Sequence, residues 1–216
     1  MLPFPCRAAV FGLLAIAGCE GLFRMVQQHG AAIGAENAGI ETAQIVLAGL
    51  ASALYLAAGG LSRRHSFAYY VGAALLVYAA GRESDQWFES MLFDDAYKIV
   101  VGIPVAIGLI LAAYRHRRGL VRETWQSFDS RPSVLFITGG VLLVSVCQMF
   151  DRPGMWPEAS YMQKCLIEEC VELFAYGLLL FAAGEALLAA IETRRAETTV
   201  IPMGRPRNVV PVQRAA

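Results

Sequence analysis

At 216 residues, with 56% hydrophobic and 17% charged side chains and a mean hydropathy of +0.49, the chain is too apolar and too sparsely charged for an ordinary water-soluble domain. Lysine and arginine total 18 against 18 acids, and the arginines fall in short loops and a tail with no aromatic-interleaved basic patch. This pattern argues against nucleic acid as a partner and for the lipid bilayer.

The first apolar segment covers residues 8 to 28, behind Pro3, Pro5 and Arg7. Its run Ile16-Ala17-Gly18-Cys19 also fits a lipoprotein signal, which would make Cys19 a lipidated N-terminus; the alternative is an uncleaved spanning helix. Further apolar segments follow over residues 40 to 61, 67 to 81, 99 to 114, 133 to 150 and 166 to 191. The fourth contains Pro104, which a membrane helix tolerates when its neighbours satisfy the freed carbonyl. Cys6, Cys19, Cys147, Cys165 and Cys170 form no C-x-x-C and no zinc spacing with histidine, so they read as small apolar residues.

The expected fold is therefore all-α, a polytopic membrane bundle of six transmembrane helices over residues 1 to 195, with a disordered cytoplasmic tail over residues 196 to 216. With six crossings, Arg7, Arg63-Arg64, the group Arg115, Arg117, Arg118 and Arg122, and Arg194-Arg195 share one side. The positive-inside rule makes that side cytoplasmic, with both termini there, in a bacterial inner membrane. The opposite loops carry Glu36, Glu89, Asp94, Asp95, Asp151 and Glu158.

Counting inward from the arginines at about 1.5 Å per residue brings acids from several helices to one outer layer. Glu41 and Gln44 stand at the start of the second helix, Arg82, Glu83 and Asp85 at the end of the third, and Glu168, Glu169 and Glu172 at the start of the sixth; Glu20 and Arg24 reach a similar level on the first. Spacings of three and four place Cys165, Glu169, Glu172 and Tyr176 on one helical face, and Tyr78, Arg82 and Asp85 on another. Glu83 and Glu168 point off these faces and rank second. Acids exceed bases in this layer, so pairing alone cannot neutralise it. Mid-span Glu185 reads as an interhelical hydrogen-bonding residue, and the arginines from Arg115 to Arg122 as topology markers that touch anionic lipid.

The stretches E-N-A-G-I-E-T-A-Q at residues 36 to 44, G-R-E-S-D at 81 to 85 and I-E-E-C-V-E-L at 167 to 173 resemble the acidic helix-end motifs of a group of bacterial multi-pass inner-membrane proteins without an established activity. The resemblance covers most of the membrane region. It implies a shared architecture and site, and supplies no substrate. The zinc-dependent seven-helix family of alkaline ceramidases and adiponectin receptors is a poorer comparison, because His29, His65 and His116 lie far apart and near loops.

Three functions fit this reading. In the first, Glu41, Asp85, Glu169 and Glu172 bind a cation or cationic substrate, with a divalent metal ion as the expected cofactor and proton exchange as a coupled process. Glu36, Gln44, Tyr78, Arg82, Glu83, Glu168 and Tyr176 support that site, Arg82 by orienting Asp85. In the second, the chain is a structural or assembly subunit of a membrane complex, or a homo-oligomer, whose polar layer fixes helix packing. In the third it is a metal-dependent membrane hydrolase.

Overall fold

The computed structural model describes residues 2–30, 39–62, 64–146, 149 and 160–199, and these are helical apart from short turns. Helix α1 covers Phe4–His29, α2 Gly39–Leu61, α3 Ser66–Glu83, α4 Asp85–Met91, α5 Ile103–His116, α6 Leu120–Phe128, α7 Arg131–Val141 and α8 Tyr161–Thr199. Wide π-type turns, Lys98–Gly102 and Leu142–Val146, lead into α5 and continue α7.

Local chemistry explains several of these boundaries. Pro5 and Pro132 sit in the first turns of α1 and α7, where a missing N–H costs nothing because the first amides of a helix have no partner. Ser130 caps α7 by accepting the Ser133 amide proton. Pro104 cannot donate to the carbonyl four residues earlier, and the π turn lies in the turn before it, where the ladder must be rearranged.

Among the described residues, four helical stretches are long and apolar enough to cross a bilayer: Phe4–Gln28, Gly39–Leu61, Lys98–His116 and Tyr161–Thr198. The other two expected spans are weaker. Helix α3 has 18 residues and ends in Arg82 and Glu83, which interrupts its apolar run, and Arg131–Ser145 is a shorter apolar stretch. Helix α8 is longer than expected at both ends: its 39 residues reach about 58 Å, against a hydrocarbon core of about 30 Å. Its helix runs through residues 196 to 199, the start of the expected disordered tail; residues 200 to 216, and with them the rest of that expectation, lie outside the described residues, as do Glu36, Arg63 and Cys147.

None of the apolar window of α1 or of Lys98–His116 is buried inside the bundle, against 39% for α2 and 44% for α8, so α2 and α8 form its centre. Their contact faces are built of small residues. Ala48, Ala51 and Ala58 meet a core that includes Ala182, Ala183, Ala186 and Ala190, which lets the two backbones approach closely. Serines on α2 and α3 tie those helices together: Ser52 donates to the Ala73 carbonyl at 3.1 Å and Ser66 to the Gly59 carbonyl at 2.7 Å.

The pairings also fix helix directions. Gln44 meets Glu169 while Leu61 lies near Arg194, so α2 and α8 run parallel. Arg7 meets Glu185 while Cys19 and Cys170 line one groove, so α1 runs against α8. Helix α3 runs against α2, and α5 against α3, with Gly81 facing Val101 at one end and Tyr70 near His116 at the other. Arg131 at the start of α7 lies over the Phe4 ring, so α7 and α1 begin at the same end. Between α1 and α8 lies an apolar groove of about 610 Å³, lined by Phe11, Leu14, Leu22, Leu173 and Phe181 among others.

Candidate functional site

At the end of the bundle where α2 and α8 begin and α3 ends, a polar network joins the three helices. The Gln44 side chain, fully buried, donates through Nε2 to the Glu169 carboxylate at 2.7 Å and to the Glu169 backbone carbonyl at 3.2 Å. On the neighbouring side, Arg82 Nη2 lies 2.8 Å from Glu83 Oε1 and 3.4 Å from Glu172 Oε1. The Tyr176 hydroxyl donates to the same Glu83 oxygen at 2.9 Å. Tyr176 is 1% exposed and Glu172 6%, so these two are withdrawn from solvent and lipid alike, whereas Arg82 reaches them from an exposed position and Glu169 is half-buried.

Sequence order explains how three helices reach one level. Glu169, Glu172 and Tyr176 follow each other on one face of α8, and the parallel course of α2 sets Gln44 beside the first of them. The antiparallel course of α3 then brings its last turn, Arg82 and Glu83, back to the same layer.

The expected residues divide into three groups. Gln44, Arg82, Glu83, Glu169, Glu172 and Tyr176 are brought together. Glu41 is half-buried and, with Glu83, Ser84, Trp87 and Phe88, lines a cleft of about 280 Å³ beside the network. Glu168 is half-buried on α8. Asp85 and Tyr78 are placed elsewhere. Helix α3 stops at Glu83 and the chain turns at Ser84, so Asp85 opens α4 with its carboxylate 2.6 Å from the Gln86 amide. Arg82 therefore orients Glu83 rather than Asp85, and Glu83 moves from second rank to the centre. The Tyr78 ring packs against Tyr97, 6.0 Å between centroids, on the α5 side. Among the described residues no group of three or more His, Cys, Asp or Glu side chains is spaced to hold a metal ion.

A second polar contact lies at the opposite end. Arg7 holds the Glu185 carboxylate through Nε at 2.5 Å and Nη2 at 2.7 Å, and a further guanidinium nitrogen meets the Leu2 carbonyl. Sequence reasoning gave Glu185 an interhelical role and Arg7 a topological one without joining them. The available signal was chemical: a mid-span Glu185 needs an interhelical partner, and Arg7 lies inside α1, where it can supply one.

On the same end, His65 in the α2–α3 turn contacts Ser127 of α6, Nδ1 to Oγ 2.9 Å. Burial, reinforced by the neighbouring Arg64 charge and opposed by Glu123, holds its imidazolium pKa below the usual histidine range. Arg64 also reaches Gln126 of α6 at 3.4 Å.

No family model matches the chain, and no curated protein or solved structure matches it significantly. Its several long apolar helices are those of a membrane protein.

Proposed function

We propose that the chain is a six-helix protein of a bacterial inner membrane, both termini cytoplasmic, whose outer polar layer binds a small cation in exchange with protons. Two features support six crossings: the alternating directions of α1, α2, α3, α5, α7 and α8, and the clustering of arginines at one end. The helices too short or too interrupted on their own, α3 and α7, are carried across by packing on α2 and α8.

The observation that carries the cation reading is the imbalance of the layer. Three carboxylates, Glu83, Glu169 and Glu172, stand in the layer; Arg82 answers Glu83 and Glu172, Glu169 is met by the neutral Gln44 amide, and among the described residues the buried Oε1 of Gln44 has no hydrogen-bond donor. An unanswered buried acceptor costs about 1–3 kcal/mol, and an uncompensated buried carboxylate costs more. A cation or a carboxyl proton beside Glu169 answers both defects. The cleft bordered by Glu41 and Glu83 lies beside the layer, and in this reading it is the side from which the ion enters. Carboxylate and amide oxygens are hard donors, the set suited to sodium, calcium, magnesium or manganese; a divalent ion would take Glu169, Gln44 and Glu41 as its first ligands.

One specific contact favours a purely structural role as the second reading. Arg82 reaches two carboxylates, one of them also held by Tyr176, which is a self-sufficient lock between α3 and α8.

Thermal unfolding of the detergent-purified protein separates the two, with EDTA first and then Na⁺, Ca²⁺, Mg²⁺ or Mn²⁺ added back. A ligand that binds only the folded state raises the apparent Tm. The cation reading expects one of these ions to stabilise the wild type and to lose its effect in Glu169→Gln. If every curve coincides across ions and Arg82→Ala is the most damaging change, the layer is a lock.

A further inference from the structure

Helix α6 is unlike the others. It is nine residues long, Leu120–Phe128, and strongly two-faced. Ser127 is buried against the α2–α3 turn, where it meets His65, and Gln126 meets Arg64, so this face is seated on the bundle. Val121, Trp125 and Phe128, at spacings of four and three, form the opposite face. They are 79%, 76% and 50% exposed. An apolar stripe on a short helix, facing away from its own protein, needs a partner.

Position and charge identify that partner. The membrane-long stretch Lys98–His116 ends four residues before α6 begins, so α6 starts where the chain leaves the hydrocarbon. Arg115, Arg117, Arg118 and Arg122 surround that exit. None of the four is ion-paired among the described residues. Tyr114, Arg115, Arg117, Arg118 and Glu123 line a concavity of about 450 Å³ at the turn, with the Arg117 guanidinium stacked 4.7 Å over the Tyr114 ring. Glu123 is the single acid there and folds over the α6 N-terminus at Gly119. A tryptophan beside unpaired arginines at the level of the headgroups is the composition of a helix lying in a lipid interface.

We propose that α6 is an interfacial anchor that recruits anionic phospholipid: the phosphate sits in the arginine concavity at the α5–α6 turn, and Val121, Trp125 and Phe128 enter the acyl boundary of the same leaflet. The site is independent of the acidic layer at the other end of the bundle. Polybasic segments at a membrane surface enrich acidic lipid around themselves by attraction that builds with each added charge.

The test uses full-length protein with Trp87→Phe and Trp156→Phe, leaving Trp125 as the sole tryptophan, reconstituted in phosphatidylcholine vesicles containing phosphatidylglycerol. Either lipid is supplied in brominated form, and acrylamide is the aqueous quencher. The expected result is weak quenching by acrylamide and severalfold stronger quenching by brominated phosphatidylglycerol than by brominated phosphatidylcholine at the same mole fraction. Replacing Arg115, Arg117, Arg118 and Arg122 by Gln, with helicity checked by circular dichroism, should equalise the two lipids. Equal quenching by both lipids in the unsubstituted protein overturns lipid recruitment. Strong acrylamide quenching overturns the interfacial placement and leaves the face for a protein partner. Loss of the lipid preference on adding inorganic phosphate, at matched ionic strength, would assign the concavity to free anions and overturn the proposal as well.

Discussion

Arg7 of α1 and Glu185 of α8 form a two-bonded ion pair across 178 residues of sequence, with Glu185 only 4% exposed. Phe4 and Phe11 stack on Phe181 of α8 nearby, the latter pair at 4.7 Å, and the groove beyond is open. Helix α1 is thus fastened at one end and loosely packed along the rest.

That arrangement makes the two single substitutions unequal to the double one. Arg7→Met strands a buried carboxylate, which costs about 3–5 kcal/mol when no other partner reaches it. Arg7→Met with Glu185→Leu removes both charges and should recover most of the loss. Apparent Tm in detergent measures this, and maleimide labelling of Cys170, half-buried where it lines the α1–α8 groove, reports whether α1 has lifted once the exposed Cys6 and Cys19 are replaced by serine. Equal Tm for the single and double variants would mean that the pair is solvated and contributes nothing.

The Arg82 network gives a graded prediction. Tyr176→Phe deletes one hydrogen bond to Glu83 and leaves its carboxylate held by Arg82, so the loss should be about 1 kcal/mol. Arg82→Ala leaves Glu83 and Glu172 without their shared cation and should cost several times as much at neutral pH. Acidification should narrow the gap between Arg82→Ala and wild type, because a protonated carboxyl no longer needs the guanidinium. Denaturation at two pH values decides it; a gap that widens at low pH would contradict the assignment.

The common level of the network residues was readable from the sequence, and so was their face on α8, where Glu169, Glu172 and Tyr176 lie together, but the face of α3 was not. Counting from the arginines placed Gln44, Arg82, Glu169 and Glu172 in one layer, and the structure joins Gln44 to Glu169 and Arg82 to Glu172. The face assignment for α3 failed because it assumed an unbroken helix through Asp85. The helix instead ends at Glu83 and the chain turns at Ser84, whose hydroxyl donates to the Ala80 carbonyl at 2.8 Å, so Asp85 does not continue the α3 face and Glu83 is the acid that meets Arg82 and Tyr176. Helices α4 and α6 were missed for a different reason: they are short, and their apolar residues face outward, so no core periodicity announces them. The ends of α8 were underestimated because composition marks where lipid stops, whereas helical hydrogen bonding continues into water.

At Gly139, α7 packs tightly against α8. A Cβ there would stand 2.9 Å from Leu179 Cδ2 and Cγ, and 3.3 Å from the Ala175 backbone carbonyl oxygen. Leu179 is 3% exposed and has little room to yield, and the carbonyl has less. Gly139→Ala should therefore destabilise, and Gly139→Val should do so by about 1–3 kcal/mol, the usual range for overpacking. Gly140, whose Cβ would meet nothing within 4 Å, is the control: Gly140→Ala should be neutral or slightly stabilising through helix propensity. Apparent Tm of the three variants tests this, and an undisturbed Gly139→Val would show that α7 is free to shift.

His65 supplies a pH signature at the basic end of the bundle. Its folded-state pKa lies below the ordinary value because burial, and secondarily Arg64, disfavour the imidazolium, while Glu123 only partly compensates. In the unfolded chain the ring titrates near about 6.5. Between the two values the unfolded state binds more protons, so stability rises with pH across that window. The contribution is fully present above the unfolded pKa and is lost as pH falls below it. The apparent Tm of the wild type should therefore decline as pH is lowered from neutrality through the histidine range. His65→Asn, which keeps a polar contact in reach of Ser127 but cannot titrate, should flatten that part of the profile and leave Tm at pH 8 little changed. An identical slope in both proteins would assign the acid sensitivity to the carboxylate layer at the other end.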